Sequence, residues 1–294
     1  MSFYSTSNFD QFGEKPDFKS YPLVALKQDE ICKAGKYTNE KGEEKTIELE
    51  KCVTNTVTLD LKHKFKIPRK KSGAGAMELR ICTTVGAAYH LVVNEGIKET
   101  IVLNFANPVE PGGGFYRGAW TQEESICRCS GLFPSIVTQT EFYTYNFEHM
   151  NEELYTDYLI ISPNVPVFRD DLLKFLDEPF YMSVITSPAP IAIRYNTVHP
   201  NDTKTVGKVL KERIRKIIQA CIEGGYKAVV LGAFGCGAFG NSPKEVASIF
   251  NHFLVEKKMK DYFDKVVFAI FSPRNNQIID DFANELHLTP IGGQ

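Results

Sequence analysis

Apolar positions along this chain follow two rhythms. Near-continuous apolar runs over residues 100–105, 228–231 and 266–271 read as strands buried on both faces, the pattern of a parallel sheet covered by helices. Between and around them lie helical stripes. Leu23, Leu26, Ile31 and Ala34 predict a helix over residues 23–36 that ends near Gly35. A second helix is predicted over 84–94, closed by Gly96. A third runs from about 203 to 223, where Val206, Leu210, Ile214, Ile217 and Cys221 share one face and Gly224-Gly225 supplies the stop. A last helix is expected over 277–286. Shorter runs at 77–82, 158–161 and 182–186 extend the alternation of strands, and a turn over 39–42 precedes a strand over 46–49. Residues 77–105 form a βαβ unit, so the expectation is a single α/β domain over residues 21–294 with parallel strands. Residues 1–20 are polar and aromatic without period and are expected to form an N-terminal arm.

Composition narrows the class. The 294 residues are 43% hydrophobic and 24% charged, with a formal net charge of −2, as in an ordinary soluble globular protein. That balance argues against a general nucleic-acid coat, which needs a basic excess. The basic run at residues 62–71, KHKFKIPRKK, reads first as a solvated loop and second as a contact for an anionic ligand or polymer. The seven cysteines are scattered, and Cys127-Arg128-Cys129 has neither the spacing nor the partners of a zinc site. Reduced thiols are therefore expected, in a reducing, cytoplasmic setting, with no metal and no cofactor. No stretch approaches the length of apolar chain that spans a bilayer, so no membrane partner is expected, and a monomer is.

Candidate chemistry gathers in two loops. After the strand at 100–105 the chain reads NPVEPGGGFYRGAWTQEES. Gly112, Gly113 and Gly114 let the backbone approach a bulky ligand, and Gln122, Glu123 and Glu124 follow at a helix start, where a carboxylate pair suggests acid/base chemistry. A bland reading competes: Thr121-x-x-Glu124 is also a capping box. The second loop, GAFGCGAFGNSP, follows the strand at 228–231 and leads into a helix near Ser242-Pro243. Strand, glycine loop and helix offer main-chain N–H groups to a phosphate. No Gly-Lys-Ser/Thr closes it as in a Walker A loop. The spacing Gly235-x-Gly237-x-x-Gly240 lacks the acidic partner of a dinucleotide fingerprint. Both loops follow strand ends, where α/β proteins bind ligands, and together they describe a site for a nucleotide diphosphate carrying a sugar.

The stretches PGGG with QEE seven residues later, YTDYLIISPNVPVFRDD, VITSPA and LGAFGCGAFGNSP resemble the microbial-type poly(ADP-ribose) glycohydrolases. That resemblance spans nearly the whole chain. It implies a three-layer α/β/α macrodomain-like fold with a mostly parallel central sheet, which binds ADP-ribose and hydrolyses the ribose–ribose O-glycosidic bond of poly(ADP-ribose). Carried over residue by residue, it makes Glu124 the catalytic glutamate and Glu123 its neighbour that positions the distal ribose. Gln122 and the Gly112–Gly114 backbone then belong to the catalytic loop, with Asn107 as a ribose contact. Gly235, Cys236 and Gly237 form the diphosphate loop, Ala238 is a further ligand-binding residue, and Phe239 packs on the distal ribose. Ser242 departs from the family's Asn-Asp-Pro but is itself a good N-cap. Trp120 and Tyr116 would either stack on a base or anchor the loop. Two other functions fit the same pocket: removal of single ADP-ribose groups from protein or nucleic acid, and binding of ADP-ribose without cleavage.

Overall fold

The computed structural model describes residues 18–150, 153–272 and 276–292; the arm expected over 1–20 lies, up to residue 17, outside them. Helix α1 (Tyr21–Ala34) ends at Gly35, whose φ of 67° and N–H bond to Ile31 O make a left-handed cap. Strands β1 (Lys36–Thr38) and β2 (Glu44–Thr46) form a small antiparallel hairpin around an Asn39 turn, in which Asn39 Oδ1 accepts from the N–H groups of Lys41 and Glu43. The strand expected over 46–49 is thereby displaced. Pairing stops at Thr46, and Leu49 opens helix α2 (Leu49–Asn55), burying Leu49 and Cys52 one turn apart. A short apolar run cannot tell these two outcomes apart.

The remaining elements follow in order: β3 (Val57–Leu59), β4 (Ala76–Arg80), α3 (Thr84–Tyr89), β5 (Thr100–Ala106), α4 (Gln122–Cys129), α5 (Leu132–Ile136), α6 (Thr140–Glu148), β6 (Leu159–Arg169) and β7 (Phe175–Pro188). Then come α7 (Ala192–Val198), α8 (Thr205–Glu223), β8 (Ala228–Leu231), α9 (Pro243–Asn251), β9 (Lys265–Ala269), α10 (Gln277–Leu286) and β10 (Pro290–Ile291). Among the described residues, eight strands form one sheet in the order β10-β4-β9-β8-β5-β7-β6-β3. It is parallel from β10 to β7 and antiparallel at β7/β6 and β6/β3. Residues 182–186, in β7, thus continue the parallel set beside β5, whereas 158–161, at the start of β6, run against it. They belong to one long hairpin, with Ile160 opposite Thr186. Only residues 170–174 separate β6 from β7, too few for the crossover that a parallel pair needs.

The near-continuous apolar runs are explained by helices on both faces. Ile101, Leu103, Val229, Leu231, Val266 and Phe268 pack with α8, α9 and α10. The alternate residues Val102, Ala228, Val230, Val267 and Ala269 pack with α1 to α6. Three layers result, as expected. Because β5 and β8 are parallel neighbours, with Ile101 opposite Val229, the two glycine loops leave the sheet side by side.

Candidate active site

Helix α4 opens with three polar residues that take three different sets of partners, because consecutive residues on a helix point about 100° apart. Gln122 reaches back to the end of β5. Its Oε1 accepts from Phe105 N–H (2.9 Å), while Nε2 donates to Leu103 O (2.7 Å) and Thr84 Oγ1 (3.0 Å). Glu123, 2% exposed, accepts from Asn107 N–H (2.7 Å) and Asn104 Nδ2 (3.2 Å). Glu124 turns to the glycine loop: its Oε1 accepts from Gly114 N–H (2.8 Å) and its Oε2 from the Thr121 hydroxyl. Gln122 and Glu123 therefore fasten the helix to β5, and Glu124 fastens it to the loop.

The capping-box reading is half right. Thr121 does hold the N-cap position in extended backbone, but no N–H bonds its side chain. The hydroxyl donates to the Glu124 carboxylate instead. Loss of water around Glu123 pushes its carboxyl up to about 8, against the bonds from Asn107 and Asn104 that favour the charged form; the neighbouring Glu124 adds to the rise.

The loop itself is built around Gly113. Its φ is 58°, and a Cβ there would lie 2.4 Å from Glu124 Oε1 and 3.2 Å from Glu123 Oε2. Only glycine admits both carboxylates at that distance. Phe115, fully buried against Phe133, anchors the far side. Tyr116 packs edge-on to Phe133 and donates to both oxygens of Asp29, so it anchors the loop to α1. Asn107 holds the turn with Oδ1, which accepts from Val109 and Glu110 N–H.

The second loop is tied at its root and open at its tip. Asn241, 3% exposed, donates Nδ2 to Pro190 O and Gly235 O (both 2.9 Å). A Cβ at Gly235 (φ 71°) would strike Asn241 Nδ2 at 2.4 Å. Ser242 caps α9, its side chain accepting from Glu245 N–H. At the tip, the N–H groups of Gly237, Ala238 and Phe239 meet no acceptor among the described residues. Such a set of free donors on a turn suits an anion. Cys236 packs partly buried against the core, and burial pushes its thiol up to about 12.

One cavity of about 470 Å³ joins the two loops. Thr121, Gln122 and Trp120 line it from the first loop, and Gly235, Gly237, Ala238 and Phe239 from the second. Gly112, Gly113, Gly114, Asn107, Cys236, Glu123 and Glu124 are outside its lining; Glu124 is one hydrogen bond away, through Thr121. Pattern reading missed several lining residues: Tyr21 and Arg128, whose guanidinium stacks 4.1 Å from the Tyr21 ring, and Asp171, which accepts from Thr83 Oγ1 (2.7 Å). Burial pushes Asp171 up to about 7. Tyr21 and Arg128 come from helices far apart in sequence and carry no local signature, whereas Asp171 closes the quoted stretch YTDYLIISPNVPVFRDD, in the turn between β6 and β7. Ala269, Ile270 and Phe271 had one signal, since they continue the predicted strand ending next to the glycine loops. Among the described residues, no cluster of metal-ligating side chains occurs.

The family model for the catalytic domain of microbial-type poly(ADP-ribose) glycohydrolase matches residues 25–170. Among solved structures, the glycohydrolase from Thermomonospora curvata is 32% identical, with a TM-score of 0.82 over 91% of this chain and 99% of that one. The same protein bound to the inhibitor ADP-HPD is 32% identical, with a TM-score of 0.79 over 90% and 99%. The Deinococcus radiodurans glycohydrolase in complex with ADP-ribose is 32% identical, with a TM-score of 0.72 over 82% and 97%. Among curated protein sequences, none matches.

Proposed function

The chain belongs to the microbial-type poly(ADP-ribose) glycohydrolases, and from that premise we propose how its residues divide the work. The reaction is hydrolysis of the ribose–ribose O-glycosidic bond of poly(ADP-ribose), releasing ADP-ribose. Glu124 serves as the single acid/base. Protonated, it gives its proton to the leaving 2′-oxygen as the distal C1″–O bond breaks through an oxocarbenium-like state; as the carboxylate, it takes a proton from the attacking water. This differs from the two-carboxylate glycosidase pair, because Glu123 is engaged with Asn104 and Asn107 and holds the loop beside the distal ribose. The free N–H groups of Gly237, Ala238 and Phe239 take the diphosphate, and the apolar wall around Phe271 and Ile278 takes the base. Tyr21, the first residue of α1, forms part of the cavity wall. A polymer threaded through the cavity would have to clear that helix, which favours attack at the chain end.

One observation carries this reading. Two loops, far apart in sequence, leave neighbouring parallel strands and meet at one cavity. The first lines it through Trp120 and Thr121 and the second through Gly235, Gly237, Ala238 and Phe239, with the Glu124 carboxylate hydrogen-bonded to its wall through Thr121. The test is Glu124→Gln assayed on poly-, protein-mono- and nucleic-acid-linked ADP-ribose. Turnover of the polymer should fall by about 10²–10⁴-fold while ADP-ribose binding, read by calorimetry, persists. Unchanged turnover would end the acid/base assignment. Faster release of single groups than of polymer by the unmutated enzyme would move the assignment to mono-ADP-ribosyl hydrolysis.

A further inference from the structure

The basic run at residues 62–71 is left unused by the cavity, and the structure gives it a definite form. Phe65 and Ile67 pack on the core beneath it, while Lys62, Lys64, Lys66, Arg69, Lys70 and Lys71 are exposed. Inward apolar and outward cationic residues alternate, as in an extended ribbon lying on a surface. The ribbon is fastened along its length. Glu223 accepts from Lys66 N–H (2.9 Å) and pairs with His63 (2.6 Å). Tyr262 OH donates to Pro68 O (2.9 Å), and Lys71 Nζ to Lys258 O (2.7 Å). Gly73 and Gly75 N–H bond to Asp261 and Phe263 carbonyls, both at 2.9 Å.

The acids nearest to it are Asp60, whose Oδ1 accepts from Lys62 N–H (2.9 Å), Glu223 as above, and Asp261, which pairs with Lys71 and Lys260. Among the described residues, Lys62, Lys64, Lys66, Arg69 and Lys70 form no ion pair. Exposed Lys257 and Lys258 continue the charge alongside. On a chain of net charge −2, so many unpaired cations held on one fixed ribbon form a local anion-binding surface.

We propose that this ribbon is a second, non-catalytic contact for poly(ADP-ribose), holding polymer units behind the one in the cavity; it rests on the hydrolase reading above. The ribbon leads into β4 at Ala76 and touches the start of β9, whereas the cavity takes Cys82, just past the other end of β4, and Ala269, the last residue of β9. About 17 Å of strand separates them, so a polymer reaches both and a single ADP-ribose does not. The substrate carries a diphosphate in every unit, and a second weak contact on the same molecule raises affinity without altering the chemistry.

The experiment exchanges Lys62, Lys64, Lys66, Arg69 and Lys70 for serine, with a companion protein in which the four lysines become arginine. Each is placed in the Glu124→Gln background and titrated with labelled polymer of tens of units, with single-stranded DNA and with ADP-ribose. The serine protein should bind long polymer roughly tenfold more weakly and with a shallower salt dependence. Its affinity for ADP-ribose should be unchanged, and the arginine protein should match the parent. In the active background, turnover of the shortest cleavable oligomer should be the same for all, which reports on the hydrolase reading separately. Equal binding of long polymer by the serine and parent proteins would overturn the proposal. So would a loss confined to single-stranded DNA, which would assign the ribbon to nucleic acid.

Discussion

Glu123 and Glu124 are adjacent acids of one type whose surroundings separate them. Glu123 is enclosed, with its carboxyl raised to about 8 by burial. A carboxyl raised on folding binds its proton more tightly in the folded state, so stability is greatest below the unfolded value and falls as pH rises toward the folded one. The protein should therefore lose on the order of a few kcal/mol between about pH 5 and pH 8 from this group. Glu123→Gln should flatten that part of the profile in urea unfolding; an unchanged slope would show that Glu123 ionises freely in place. Gly113 is the other residue whose identity follows from distance. Gly113→Ala puts a methyl group 2.4 Å from Glu124 Oε1 and should cut kcat by about 10²-fold or more through displacement of the carboxylate, with affinity for ADP-ribose far less affected. A kcat within twofold of the parent would mean that the loop yields without moving Glu124.

Between elements, Gln122 is the latch that aims the catalytic helix. Its amide spans α4, the end of β5 and α3 through three hydrogen bonds. Gln122→Ala leaves the Phe105 N–H and Leu103 O without those partners and should cost about 1–3 kcal/mol, with a fall in kcat as the helix start loosens. Thermal unfolding beside steady-state kinetics would check both. A stable variant of normal kcat would reduce Gln122 to a spectator of the cavity wall. The same scale shows why reading the motif alone falls short. Gln-Glu-Glu announces acidic chemistry, yet two of its three side chains turn out to attach the helix to a strand. Thr121 is the N-cap that the spacing predicts, but the hydrogen its hydroxyl supplies goes to the Glu124 carboxylate, a choice set by the loop folding over it and invisible in the spacing.

At the scale of the whole molecule, α8 is held to the sheet by a buried cation that its apolar stripe conceals. Arg213, 1% exposed, donates to Asp157 Oδ1 (2.9 Å), Leu154 O (3.0 Å) and Pro188 O (2.9 Å). It thereby joins the helix to the lead-in of β6 and the end of β7. Arg213→Ala should destabilise the protein by about 3–5 kcal/mol, because it removes the main partner of Asp157 and strands two carbonyls; a loss below about 1 kcal/mol by urea unfolding would show that water replaces it.

The sequence by itself determined the strand and helix alternation, the glycine turns and the acidic helix start, because periodicity, caps and glycine freedom act over a few residues and leave local marks; the family showed through the likeness of its longer motif stretches. Only the tertiary structure decided that β5 and β8 lie side by side, that β6 and β7 form a hairpin, and that Tyr21, Arg128 and Asp171 meet the same cavity. Those outcomes depend on which strand ends become neighbours, and a neighbour across the sheet is chosen by the packing of the whole chain.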